Sequence, residues 1–375
     1  MKICFWGKIA DALMGNTYGG GELQIAFIAK SLASRGHEVV VVDLDSTREF
    51  ITAEGIRVIP VEGYNKGIKG LRTITHRLPA LYSTFIKVNA DVYYCRIREY
   101  RHVIVYMAAR KVNAKFILGL ASDLDILSIG KRWKHFYSSN VRDFWGVFNA
   151  ALGELVYPFL LKNADLVMVQ HQGQQDILNK KRIRSLVFCN VIDLNGQPYK
   201  GEEESNELVY VGSLDKRKGF ADFYYLVTQT PDCNFKVIGR TRDKTGEVIY
   251  DKLKSFPNVI LKGKLSHELT IREIARSRAL VSTSPMEGFP NIFIEAWSCG
   301  VPVLSLFVDP GGIISRERLG FVAGGDIKKL INAVKNVTNN EEFRSRATEY
   351  VHRTHEITES KINEINSIFT GVLNQ

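Results

Sequence analysis

Residues 282–306 read STSPMEGFPNIFIEAWSCGVPVLSL. The runs ALVSTS, from Ala279, and VPVLSL, from Val301, have the continuous apolar character of strands buried in a parallel sheet. Between them Pro290 suits the first turn of a helix, where its missing N–H would be unpaired anyway, and a helix is predicted from about Asn291. The backbone N–H groups from about Gly288 through Phe289, Asn291 and Ile292 to Phe293 then point into the crevice at the carboxyl ends of the strands. There a phosphate gains from both hydrogen bonds and the helix dipole. Glu295 lies four residues beyond Asn291 and faces the same way, while Phe293, Ile294 and Trp297 cover the apolar side. With Glu287 on the loop, two carboxylates flank an anion site, which is costly unless they bind something.

Carboxylates accept paired hydrogen bonds from vicinal hydroxyls. One acid on the loop and one on the helix therefore suit a ligand with diols on both sides of a diphosphate, as in a nucleotide-sugar. The spelling acid, Gly-Phe, second acid and Cys-Gly-Val-Pro-Val resembles the signature of the retaining family 4 glycosyltransferases of the GT-B fold, the glycosyl transferases group 1. The resemblance implies two facing doubly wound α/β domains with the active site in the cleft between them. It further implies that Glu287 holds hydroxyls of the donor sugar and Glu295 the ribose of the nucleotide.

The chain has 375 residues, enough for two domains with separate cores. Hydrophobic residues make up 45% and charged residues 24%, with no uncharged apolar run of membrane-spanning length. The N-terminal MKICFWGKIADALMG is interrupted by Gly, Lys and Asp too early for a signal peptide, and a cytoplasmic protein is expected. Five scattered cysteines read as reduced thiols, and neither they nor the eight histidines show metal spacing. The net charge of +10 is uneven: residues 1–200 carry 27 Lys+Arg against 17 Asp+Glu, and the remainder carries 23 of each. An anionic partner for the first half follows as an expectation, either the inner face of a membrane, a lipid-phosphate acceptor or nucleic acid.

Short strand candidates alternate with helical runs along both halves. KICFWG, EVVVVD, IRVIPV, DVYYCR, KFILGLA and LVMVQ form the first series; ELVYVGS, NFKVIG, NVILKG, ALVSTS and VPVLSL form the second. The polar DLNGQPYKGEEESN, 193–206, reads as the linker. The predicted domains are 1–195, on the acceptor side, and 196–357, binding the nucleotide-sugar. Family resemblance returns the last helix, 358–375, to the first domain. Its Ile362, Ile365, Ile368, Phe369 and Leu373 fit one face.

GNTYGGGELQ places Gly19, Gly20 and Gly21 between the first strand and first helix, where backbone can approach a ligand closely. The spacing is neither that of a dinucleotide fingerprint nor that of a P-loop. By the resemblance Gly20 and Gly21 lie near the donor phosphates. VYVGSLDKRKGFADF sets Lys216, Arg217 and Lys218 before a helix, a geometry that neutralises a leaving diphosphate. Relatives often carry arginine where Ser213 stands; Lys218 and Gly219 keep the family's Lys-Gly, and Arg217 is a candidate for the missing charge. Gly239, in FKVIGR, matches a family position, and Lys264 and Leu265 would meet the base.

In KFILGLASDLDIL, Asp123 or Asp125 would face the cleft at a strand's carboxyl end, with Asp123 taken as the catalytic candidate beside Lys218 and Glu287. Family members often have histidine here, and this chain has Ser122 then Asp123. The Asp-Leu-Asp spelling resembles a metal-binding triplet of another fold, which the two-domain pattern contradicts; no metal and no cofactor is expected. The stretches 67–88 and 130–161 mix Lys, Arg and aromatics as an interfacial surface would.

The reading is a retaining, metal-independent glycosyltransferase moving a sugar from a UDP-sugar to a hydroxyl of a glycan or lipid-linked acceptor. Its setting would be cell-surface polysaccharide or glycoconjugate synthesis. Two rivals are an epimerase of the same fold, which makes product from donor alone, and a nucleic-acid-binding protein suggested by pI ≈ 9.2. No nucleic-acid module is recognisable and the second half is neutral, so nucleic acid is not expected as a partner.

Overall fold

The computed structural model describes residues 1–15, 19–68, 71–127, 144–194 and 205–374, with the side chains of 144–151 left aside. Most of the predicted linker, 195–204, and most of the aromatic-basic stretch before 144 lie outside these residues. The chain divides into two compact units, Met1–Phe188 with Ile357–Gln375, and Cys189–Glu356.

The first unit is built on an eight-stranded sheet. In chain order its strands are β1 Lys2–Trp6, β2 Glu38–Asp43, β3 Phe50–Ile51, β4 Arg57–Pro60, β5 Val92–Arg96, β6 Lys115–Gly119, β7 Leu166–Val169 and β8 Ser185–Val187. Their spatial order is β3-β4-β2-β1-β5-β6-β7-β8, parallel except for the β3–β4 pair. The chain winds outward from β1 through β2, then returns to lay β5 on the other side of β1, which creates a topological switch point between β1 and β5. Val39 to Val42 of β2 and Val92 to Cys95 of β5 are essentially inaccessible, as expected for strands covered on both faces. The helix Glu359–Leu373 packs on the helix Gly20–Ser34 of this unit. It buries Ile365, Ile368, Phe369 and Val372, with the Phe369 ring 6.2 Å from Phe5 and 5.8 Å from Tyr94.

The second unit holds β9 Glu207–Val211, β10 Asn234–Ile238, β11 Val259–Gly263, β12 Ala279–Ser282, β13 Val303–Ser305 and β14 Gly320–Val322. All are parallel, in the order β11-β10-β9-β12-β13-β14, so the switch point lies between β9 and β12. One face carries a core around Phe293, Trp297 and Tyr350, and the other a core around Phe220, Phe223 and Phe235. The Trp297 indole N–H is satisfied by the Leu319 carbonyl at 2.9 Å, so the largest buried side chain leaves no polar debt.

β3, β8 and β14, of two or three residues each, were not foreseen from sequence, whereas the longer strands fall where the apolar runs predicted them. Among the described residues no helix is long and apolar enough to cross a membrane.

Candidate functional site

The carboxyl ends of β9 and β12, the two strands flanking the second unit's switch point, open into a concavity. Tyr210 and Val211 line it from β9, and Leu280 to Ser282 from β12. Ser284 and Phe293 line it with Lys218, Glu287, Pro290 and Ile292, so four of the sequence-predicted site residues meet in one place.

Local structure explains why Lys218 arrives there. After β9 the chain makes a short turn, Lys216–Lys218, whose N-cap Asp215 is buried and accepts from the Lys218 N–H at 3.1 Å. Gly219 then adopts φ 64°, and a Cβ there would overlap the Thr283 carbonyl oxygen. The Thr283 hydroxyl donates to the Gly219 carbonyl at 2.8 Å and lies 3.2 Å from that of Lys218, pinning the turn against the end of β12. The Tyr210 hydroxyl donates to the same Lys218 carbonyl at 3.2 Å, and burial pushes its phenol well above the usual value, so it stays a donor. From this fixed backbone the Lys218 ammonium reaches across to form an ion pair with the Glu287 carboxylate.

Glu287 sits on the loop before the helix Asn291–Ser298. The helix starts at Asn291 as expected, with Pro290 as its N-cap rather than inside its first turn: its extended backbone (φ −65°, ψ 122°) has a helical φ but a non-helical ψ. Pro290 offers no side-chain cap, and the Phe293 N–H turns back to the Pro290 carbonyl at 3.1 Å. The loop is braced from behind by residues that sequence reading passed over. Asn190 donates to the Phe289 carbonyl at 2.9 Å and to Asn291 Oδ1 at 2.8 Å. Buried His355 meets the Asn190 carbonyl at 2.7 Å, and its ring packs edge-on with its centroid 5.0 Å from that of Phe289. Their signal was absent from the sequence, because residues 101 and 165 positions apart carry no common pattern.

Glu295 is 7% exposed and is met by His267 Nε2 at 3.1 Å. That hydrogen bond raises the His267 pKa above its ordinary value, the carboxylate favouring the charged ring. His267 follows the turn that carries exposed Lys264 and half-buried Leu265, so those two residues lie on the approach to Glu295 in the chain. Gly239, φ 150°, ends β10, where a Cβ would overlap the Gly212 carbonyl; it brings two turns together rather than lining the concavity. Ser213 is half-buried in the turn after β9, next in sequence to the Gly212 that Gly239 approaches. Arg217 is 68% exposed and paired with buried Asp215 at 2.9 Å, and it does not line the concavity. Gly288 and Phe289 are buried behind the loop.

In the first unit, Gly20 and Gly21 are not loop residues as the sequence suggested. They form the first turn of the helix Gly20–Ser34, with Gly19 as N-cap, and a short helix, Ala10–Leu13, precedes them. A Cβ on Gly21 would come within 2.6 Å of Ile97 Cδ1, and Ile97 itself has φ 68°, a costly backbone for a β-branched residue. Both lie at the β1/β5 switch point. Of the two acids after β6, Asp125 is buried and accepts the Ala121 and Ser122 N–H groups at 2.9 Å each, capping its own turn. Asp123 is the accessible one, held by His171 and Gln174. Among the described residues no group of three His, Cys, Asp or Glu side chains is arranged to hold a metal ion.

Residues 193–354 match the family model described as glycosyl transferases group 1. The chain is 22% identical over 338 residues to a component of the human phosphatidylinositol N-acetylglucosaminyltransferase, covering 84% of this chain and 65% of that protein. It spans less than two thirds of the length of the curated relatives it matches. Among solved structures it is similar to sucrose-phosphate synthase from Thermosynechococcus elongatus, with TM-score 0.77 and 16% identity over 100% of this chain and 99% of that one. It is also similar to Anabaena HepE in complex with UDP, with TM-score 0.67 and 16% identity over the whole of both chains.

Proposed function

We propose, from the GT-B fold and the membership of residues 193–354 in the glycosyl transferases group 1 family, that the chain is a retaining, metal-independent transferase. It moves a sugar from a UDP-sugar to an acceptor hydroxyl. The observation that carries this reading is the meeting of Lys218, Glu287 and the start of the helix Asn291–Ser298 at one concavity on the β9/β12 switch point. A cation and a row of N–H groups stabilise the negative charge of a departing diphosphate. Glu287 then accepts hydrogen bonds from hydroxyls of the sugar and Glu295 from those of the ribose, while Lys264 and Leu265 meet the base. With no covalent intermediate invoked, the acceptor attacks on the face that the diphosphate leaves, and the leaving phosphate oxygen takes the hydroxyl proton. HepE, solved with UDP, supports the choice of nucleotide.

For the acceptor we favour a lipid-linked glycan or related lipid, with the chain peripheral at an anionic membrane surface in glycoconjugate synthesis. The name of the human relative supports this, since it specifies phosphatidylinositol. So do Ile68, Leu71 and Ile74, which are 74%, 61% and 73% exposed in a segment that also carries exposed Lys66. The test is mass spectrometry of products from UDP-glucose, UDP-galactose and UDP-N-acetylglucosamine, each with free and lipid-linked acceptors. Transfer with retention at the anomeric carbon is the expected result; a chain that binds no UDP and glycosylates none of the panel would overturn the reading.

A further inference from the structure

Asp123 opens the turn Asp123–Ile126 after β6, and His171 is the N-cap of the helix Gln172–Lys180 after β7, the adjacent parallel strand. Neighbouring strand ends thus join residues far apart in sequence. Asp123 Oδ1 accepts from His171 Nε2 at 3.0 Å and from Gln174 Nε2 at 2.8 Å. Two donors on one oxygen fix the rotation of the carboxylate. Oδ2 has no protein partner among the described residues, and the side chain is 38% exposed. The imidazole is the reverse case: His171 is 7% exposed, and its Nδ1 is buried without a hydrogen-bond partner among the described residues. The ring makes its bond to Asp123 through Nε2 and leaves Nδ1 unpaired among the described residues. A buried ring that carries such a debt, with its one good bond spent on an accessible acid, acts chiefly through that acid. Nearby charged groups are already committed: Asp125 caps its own turn, and Lys181 donates to the Ile126 carbonyl at 2.9 Å.

A carboxylate is an acceptor only, so its ligand must bring the hydrogen. We infer that His171 and Gln174 are positioning residues that hold Asp123 so that Oδ2 accepts a hydrogen bond from a hydroxyl of the sugar or polyol acceptor, an inference that rests on the transferase reading above. The proton itself still leaves with the diphosphate oxygen, and Asp123 orients the nucleophile.

The experiment uses the full chain and whichever acceptor of the panel is glycosylated. Asp123→Asn and His171→Phe should each raise the acceptor KM roughly tenfold or more, the range expected for one hydrogen bond to a charged group. UDP affinity measured by calorimetry should stay at the wild-type level in the His171 variant. The double variant should be no worse than Asp123→Asn alone, because His171 acts through Asp123. His171→Gln, which keeps a donor, should recover part of the loss, and it carries the test with Gln174→Met if His171→Phe does not fold. A normal acceptor KM in the His171 variants, or losses that multiply in the double variant, would overturn the inference alone. A wild-type chain that neither binds UDP nor glycosylates anything would remove the transferase reading and this inference together.

Discussion

Lys218 and Glu287 are assigned opposite tasks, one toward phosphate and one toward sugar, yet they form an ion pair with each other. Removing either leaves its partner uncompensated, so their effects must be coupled. Lys218→Ala should lower turnover on the order of 100 to 1000 fold, as expected for one preorganised donor to a developing oxyanion. The Lys218→Ala/Glu287→Ala pair should lose less than the product of the single losses, measured as kcat at saturating substrates; strict multiplication would separate the two residues. Glu295 has a different partner. His267 is held above its ordinary imidazole value by its hydrogen bond to Glu295, so the pair stabilises the fold in full below about pH 6.5, provided the acid stays ionised, and fades as pH rises through the raised value. The His267 side chain is 45% exposed and solvent screens the pair, which keeps the effect below about 1 kcal/mol. Denaturant titrations of wild type and His267→Ala should therefore differ most at about pH 5 to 6 and converge by about pH 9. A gap that widened toward high pH would contradict the assignment.

Turns after strands decide where these side chains stand, and the turn after β9 is the clearest case. Gly219 is at φ 64° with its Cα against the Thr283 carbonyl, so Gly219→Ala meets both backbone strain and a backbone oxygen that cannot swing aside. The substitution should cost on the order of 2 kcal/mol and lower the thermal midpoint, while Gly324→Ala, at the same φ but with open space around its Cα, should cost less. Equal midpoints for the two variants would show that the Thr283 contact is unimportant. Elements of this kind were unevenly legible in the sequence. Strands buried on both faces announce themselves as runs such as EVVVVD and ALVS, and the Pro-Asn start of the helix Asn291–Ser298 was readable within one residue. Phe50–Ile51, Ser185–Val187 and Gly320–Val322 sit in edge strands too short to show a period, and β3 pairs antiparallel, against the pattern of its sheet. Glu287, Pro290 and Ile292 came from one contiguous motif and Lys218 from the separate basic turn after β9, and the four do share a concavity. Asn190, His355 and His171 carry no motif, since each takes its meaning from a strand end or loop that only the winding of the sheet supplies. The glycines at 20 and 21 misled for a related reason: Gly-rich composition says loop, but both lie in a helical turn, and at Gly21 the close pass of Ile97 makes glycine a packing requirement.

At the scale of the whole chain the charge is divided as sharply as the fold. Residues 1–200 carry 27 Lys+Arg against 17 Asp+Glu, and residues 201–375 carry 23 of each, so the excess belongs to the first half. Charge alone gives a salt-sensitive attraction that any polyanion satisfies. The exposed Ile68, Leu71 and Ile74 add what a polyanion in solution cannot use, because apolar side chains gain only by entering an interface. The two contributions can be separated by experiment. Binding to vesicles with anionic lipid should exceed binding to neutral vesicles and weaken as salt shortens the screening length from about 10 Å at 0.1 M. The Ile68→Ser/Leu71→Ser/Ile74→Ser variant should bind anionic vesicles roughly tenfold or more weakly, as removal of two or three partly inserted aliphatic side chains implies, while keeping the same salt dependence. Flotation or co-sedimentation against lipid composition and salt reads both. Vesicle binding that ignores lipid charge would remove the electrostatic part, and a triple variant that binds like wild type would move the docking surface elsewhere on the chain.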